Sequence, residues 1–222
     1  MIATLLVMSD EVKRSYRPVR RAEKAAATQA AILDAAREQF IAKGYAATSV
    51  ADIARAAWVN VDTLYASVGR KPALLLAVID MTLANEDHPV VAEQRDYVRA
   101  TLAAPTARLK LTTYATALGR VMPRVAPLFD ALAQAALSDP ECAALRESLG
   151  ARRRANMLKL TTDLRSTGQL RTDLTDDEVA DLLWTTNAPE YYALTVARGW
   201  TPETYGERLA DLWTRLLLAE PV

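Results

Sequence analysis

From residue 28 onward, apolar positions recur at the three- and four-residue spacing of an amphipathic helix. Ile32, Leu33, Ala36 and Phe40 predict a first helix from about Thr28 to Lys43, with Gly44 placed to stop it. Thr48 is suited to cap a short second helix, in which Val50, Ile53, Ala54 and Ala57 share one face. A break at Trp58, Val59 and Asn60 leads into a third short helix over about Val61 to Ser67. Gly69, Arg70 and Lys71 then precede Pro72, which suits the first turn of a long apolar helix.

Beyond residue 84 the pattern is helix after helix, punctuated by prolines. Asn85 to Pro89 reads as a turn. Leu111, Tyr114, Ala115, Leu118 and Met122 line a helix expected to end near Pro123, and another is expected from about Pro127 to Leu137. Glu141 to Thr167 reads as one long helix stopped by Gly168. Thr175 and Glu178 are spaced as a capping box for a helix carrying Val179, Leu182 and Leu183. Asn187 and Pro189 interrupt it, a further helix runs to Gly199, and Thr201 caps a last one with Tyr205, Leu209, Leu212, Trp213 and Leu216 on a stripe. No repeat or low-complexity tract is present.

Composition agrees with helix. Of the 222 residues, 42 are Ala and 30 Leu, against 21 for Val and Ile together, and the 51% hydrophobic content is ample for a core. The fold class expected is all-α: an N-terminal three-helix domain with a helix-turn-helix, followed by a larger helical bundle. Residues 1–24 read as a flexible basic arm, 25–72 as the helix-turn-helix domain, and 73–222 as the second domain. No apolar run reaches the length of a membrane span, and Ile2 to Val7 lack the basic flank and cleavage site of a signal peptide. A cytoplasmic protein is expected; Met8 is an alternative start.

Net charge is zero, but its distribution is uneven. Residues 1–72 hold 11 Lys and Arg against 7 Asp and Glu, whereas residues 73–222 hold 16 against 20. A basic front end is the electrostatic footprint of a nucleic-acid module. Six of its basic residues, Arg17, Arg20 and Arg21 among them, fall between Lys13 and Lys24.

The two short helices at 48–67 have the form of a helix-turn-helix. The first would set the angle of the second, which can then lie in a DNA major groove. Ile53, Ala54, Ala57, Val59 and Leu64 are its packing residues; Asn60, Val61, Asp62, Thr63 and Ser67 are left to face bases or phosphates. Periodicity of this kind fits any three-helix domain. The spelling is more specific: AAILDAAREQF at 30–40, GYAATSVADIARAA at 44–57, VNVDTLY at 59–65 and GRKPALL at 69–75. Together these resemble the TetR (tetracycline repressor) family of transcription regulators.

The resemblance implies an N-terminal DNA-binding domain, an all-α domain for ligand binding and dimerisation, and repression of a palindromic operator relieved by a small molecule. Matched by position, Thr48 would cap the second helix and donate to a phosphate, Asn60 to Thr63 would open the recognition helix, and Tyr65 and Lys71 would contact phosphates. The last two helical regions, about 176–198 and 202–219, would form the homodimer. Two positions depart from the family pattern. Trp58 stands where Gly is usual, which is strained if its φ is positive, and Val68 stands where an aromatic is common.

Candidates to line a ligand pocket are the polar and aromatic residues on apolar helices: Tyr114, Met122, Phe129, Met157, Trp184, Asn187, Tyr191 and Tyr192. Any of them serves equally as core. Their character favours an apolar or aromatic effector. Arg152, Arg153 and Arg154 read as a solvated helix face. No cofactor is expected: one His and one Cys cannot supply a di-metal bundle or a disulfide framework, and no Ser-His-Asp set or phosphate loop is readable. An enzyme is therefore not expected. The alternative to a repressor is a ligand-binding or scaffold protein with a weakened DNA module.

Overall fold

The computed structural model describes the backbone of residues 4–219 and the side chains from residue 20 onward. It is all-α. The helices are α1 (Thr4–Ala47), α2 (Val50–Ala56), α3 (Val61–Val68), α4 (Lys71–Ala84), α5 (Asp96–Ala103), α6 (Ala107–Ala135), α7 (Pro140–Arg165), α8 (Asp176–Thr186), α9 (Pro189–Ala197) and α10 (Pro202–Leu217). A single 3-10 turn, Ala92–Gln94, precedes α5, and Leu170 pairs with Leu218 in an isolated bridge.

The first three helices form one small core from Ile32, Leu33, Ala36, Phe40, Ile53, Ala54 and Leu64, all buried. These are the positions the periodicity singles out. Gly44, at φ 75°, breaks the regular geometry of α1 where a stop is expected. The start differs. The expected flexible arm of residues 1–24 is helical from Thr4 and continues through Pro18 into the alanine-rich residues 25–27, which are strong helix formers. Arg20 and Arg21 are exposed on it; Arg17 lies outside the described side chains.

α4 leaves the small core and enters the larger one. α6 is the axis of the second domain and packs against α1, α4, α5, α7, α9 and α10. It is one helix, where Pro123 and Pro127 predict two. An internal proline costs about 3 kcal/mol, because it has no N–H for the carbonyl four residues back. Here Val121, Val125, Leu128 and Leu132 are buried on both sides of the prolines. Each such side chain contributes roughly 1.5–3 kcal/mol, so tertiary burial outweighs the local penalty. Sequence pattern also leaves residues 90–106 unassigned, and these form the 3-10 turn and α5.

α10 lies closest to α6, and two glycines make this approach possible. A Cβ on Gly119 would stand 2.6 Å from the Pro202 carbonyl oxygen, and one on Gly206 would stand 3.1 Å from that of Ala115. Trp213, fully buried on α10, stacks on Tyr114 of α6 at 5.8 Å and donates its indole N–H to Thr186 at 2.7 Å. The capping box at Thr175 and Glu178 forms as expected.

Replacing Gly119 by Ala forces backbone against backbone. The expected outcome is a loss of about 2 kcal/mol in unfolding free energy, read from urea titration, without loss of helical signal in the folded state.

Candidate nucleic-acid interface and interior cavity

The helix-turn-helix is built locally from caps. Ser49, not Thr48, caps α2: its Oγ accepts from the Asp52 N–H at 3.0 Å and donates to the Asp52 carboxylate at 2.7 Å. That second bond holds the Asp52 carboxyl below its usual range. Thr48 is buried, and its hydroxyl faces the Gln39 and Gly44 carbonyls at 3.1 and 2.8 Å. It braces the end of α1 and is not presented to a phosphate. The sequence is ambiguous here because Thr and Ser are adjacent and both cap well.

Ala57 ends α2, and Trp58 takes φ 57°, the left-handed geometry that the usual glycine would supply. Its side chain is 95% exposed, so no packing offsets the strain. Asn60 then caps α3, its Oδ1 accepting from the Thr63 N–H at 2.6 Å. The N-terminus of α3 therefore faces outward, with Asn60 and Asp62 exposed and Val61 and Thr63 half-buried. Val68 packs as a partly buried member of the core, so the smaller residue is accommodated.

Tyr65, exposed, and Lys71, half-buried, share an open groove with Val50, Arg70, Asp139 and Glu141. The Lys71 ammonium stands 4.0 Å over the Tyr45 ring, and burial pulls its pKa down. The Tyr45 hydroxyl donates to Asp139 at 3.4 Å, and burial first, then Cys142 and Asp139, pushes its pKa up. Asp139 caps α7 by accepting from the N–H groups of Glu141 and Cys142, and the Cys142 amide is the main reason its carboxyl is held below the ordinary range. Arg70 meets Glu141 at 3.7 Å. Through these contacts the edge of the small domain rests on the first turn of α7.

The second site is a cavity of about 130 Å³ between α4, α5, α6 and α7, closed by Asn187 and Pro189. Five of the eight pocket candidates line it: Tyr114, Met122, Phe129, Met157 and Asn187. Trp184 and Tyr191 instead line a neighbouring groove. Tyr192 is buried edge-on against Tyr205 at 5.0 Å and serves the core. Trp184 and Tyr191 therefore serve the groove and Tyr192 the core, an orientation that composition does not reveal.

Sequence reading misses the cavity's cation. The arginine triplet on α7 is not a solvated face. Arg152 binds Asp80 of α4, and Arg154 binds Asp177 and Asp181 of α8, both at 2.7 Å. Arg153 turns inward, donating to Asn187 Oδ1 at 2.6 Å and the Trp184 carbonyl at 3.1 Å, with its guanidinium 5.6 Å from the Trp184 ring centre. Burial lowers its pKa. Three consecutive arginines span some 200° of a helix, so they cannot all share one exposed face, and that was the available signal.

Residues 32–78 match the family described as bacterial regulatory proteins, tetR family. No curated protein matches the chain. Among solved structures, a protein from Rhodococcus sp. assigned to the TetR family of transcriptional regulators is similar at TM-score 0.67 and 17% identity, over 86% of this chain and 98% of that one. NalD, the secondary repressor of the MexAB-OprM multidrug efflux pump in Pseudomonas aeruginosa, is similar at TM-score 0.63 and 19% identity, over 89% and 98%. SmeT in complex with triclosan is similar at TM-score 0.66 and 16% identity, over 87% and 93%. At these identities the likeness is one of fold.

Trp58→Gly removes left-handed strain and no buried contact. The expected result is a gain of about 1 kcal/mol in unfolding free energy by denaturant titration. The chain thus carries the domain that marks bacterial regulatory proteins of the tetR family, and over most of its length it has the fold of that family's solved members.

Proposed function

We propose that the protein is a homodimeric repressor that binds a palindromic operator and is released from it by a small molecule. The observation that carries this reading is the outward N-terminus of α3 on one side of α4 and a largely apolar cavity on the other. In a dimer, two such helices would enter successive major grooves about 34–36 Å apart. Asn60, Val61, Asp62 and Thr63 would meet the base edges; Asp62 suits a cytosine amino group. Tyr65, Lys71 and the exposed Arg20 and Arg21 would meet the backbone. Lys71 would exchange its place over Tyr45 for a phosphate.

Dimerisation through α9 and α10 is supported by their apolar surface. Leu194 is 67% and Val196 44% exposed, and Trp200, Leu212 and Leu216 border a shallow groove beside them. A charge placed in that surface should separate the subunits: Leu194→Asp is expected to run as a monomer in multi-angle light scattering, with the wild type as a dimer.

The repressor reading is tested by titrating the protein against labelled DNA from upstream of its own gene and from a genomic selection, over a salt series. Saturable nanomolar binding that weakens steeply with salt and prefers its site over random DNA is expected. Sequence-blind binding in both pools overturns it. One observation favours a second reading, a ligand-binding protein with a weakened DNA module: the strained, wholly exposed Trp58 at the corner of the helix-turn-helix. Restoration of specific binding by Trp58→Gly would support that reading.

A further inference from the structure

The polar groups around the cavity form an ordered chain of donors that ends without an acceptor. Arg153 donates to Asn187 Oδ1. That fixes the amide, since the opposite orientation would set its NH₂ against the guanidinium. Asn187 Nδ2 then points to the Tyr114 hydroxyl oxygen at 3.4 Å and the Met157 sulfur at 3.0 Å. The Tyr114 hydroxyl is left with a proton to give, and among the described residues nothing accepts it. Arg153 has the same surplus. Both of its hydrogen bonds leave from one terminal nitrogen, so its Nε and other terminal NH₂ have no partner among the described residues.

The charge has no contact ion pair among the described residues, and Glu190 acts on it only through space. Among the described residues no carboxylate lies within 4 Å of Arg153. The nearby Glu190 faces Arg146 at 3.8 Å. At the rim, Glu93 is joined to Lys159. Arg95, also on the cavity wall, is satisfied by Asp80 at 3.2 Å and the Val90 carbonyl at 3.3 Å. A half-buried guanidinium without a counter-ion is costly unless something negative completes it. The rest of the wall is aliphatic or aromatic apart from Asn156 and Thr101, whose hydroxyl donates to the Tyr97 carbonyl.

We propose that the cavity takes a small organic monocarboxylate, held by a free N–H of Arg153 and the Tyr114 hydroxyl, with its apolar body against Leu118, Met122 and Phe129. This rests on the reading of the cavity as the effector site and names the effector's chemistry. The two oxygens of a carboxylate can accept one charge-assisted hydrogen bond from a free Arg153 N–H and one from the Tyr114 hydroxyl. Size follows from volume: an apolar protein cavity of roughly 150 Å³ holds benzene. A body of one ring or a short chain therefore fits about 130 Å³.

The test is calorimetry on the full chain without DNA, using benzoate, hexanoate and octanoate, each against its primary amide. At least one acid is expected to bind more tightly than its amide by roughly tenfold or more. Arg153→Met should weaken that acid by roughly 10- to 100-fold while leaving the amide unchanged. Tyr114→Phe should weaken it by a smaller factor, and Arg153→Lys should retain part of the preference. Circular dichroism melts confirm that each variant is folded. Amides that bind as well as acids, a parallel fall of both in Arg153→Met, or no acid binding below about 1 mM overturns the proposal. Acid binding that leaves DNA affinity unchanged upholds the site and removes the switching part of the repressor reading.

Discussion

The structure depends on α4 belonging to two cores at once. Leu74, Leu75, Val78, Ile79 and Met81 are buried, and the helix packs on α1 and α3 on one side and on α6 and α7 on the other. Midway along it, Asp80 is held between Arg95 before α5 and Arg152 of α7, at 3.2 and 2.5 Å. A carboxylate in so confined a place needs its partners, so α4 cannot slide without breaking one of them. Its first turn sets Lys71 over Tyr45; its last sets Leu83 in the cavity wall. The two sites are thus opposite ends of one rod. Arg152 grips that rod and is the neighbour of Arg153, which faces the cavity. Neighbouring residues of α7 thus contact α4 and the cavity at once.

The sequence discloses the small domain more fully than the large one. The small domain was legible because each of its cues is local: the buried Ile32, Phe40, Ile53 and Leu64 fall at helical spacing, Gly44 breaks α1, and Asn60 stands in the break before α3. The same locality gave the capping box at Thr175. Where two local cues tie, as with Thr48 and Ser49, only burial decides. In the second domain, the prolines of α6 were misread as a helix end because the opposing effect is tertiary: burial along a helix whose neighbours are not visible in a linear pattern. Arg153 was missed for a related reason. α7 shows no clean apolar stripe, because its neighbours on different sides demand arginines as well as leucines.

The pocket candidates divide along the same line. Tyr114, Met122 and Phe129 occupy one side of α6, so the stripe that marks core also marks cavity. Trp184, Tyr191 and Tyr192 lie on either side of the Asn187–Pro189 break, where the helix phase is reset. Extrapolating a face across that break fails. The break itself has a use: Asn187 ends α8 with its side chain free to reach three partners on two other helices.

The two prolines of α6 bear on how the cavity could change shape. Pro123 and Pro127 take two rungs out of the backbone ladder, at the carbonyls of Gly119 and Pro123, along the part of the helix that carries Met122 and Phe129. That part of the wall resists bending less than the turn before it, where α10 packs closely on Ala115 and Gly119. The α6 wall is therefore stiffer on the side packed against α10 and more compliant beyond it. Any guest of the cavity would meet a polar end fixed by Arg153 and Asn187 and an α6 wall that yields more easily at Pro123 and Pro127.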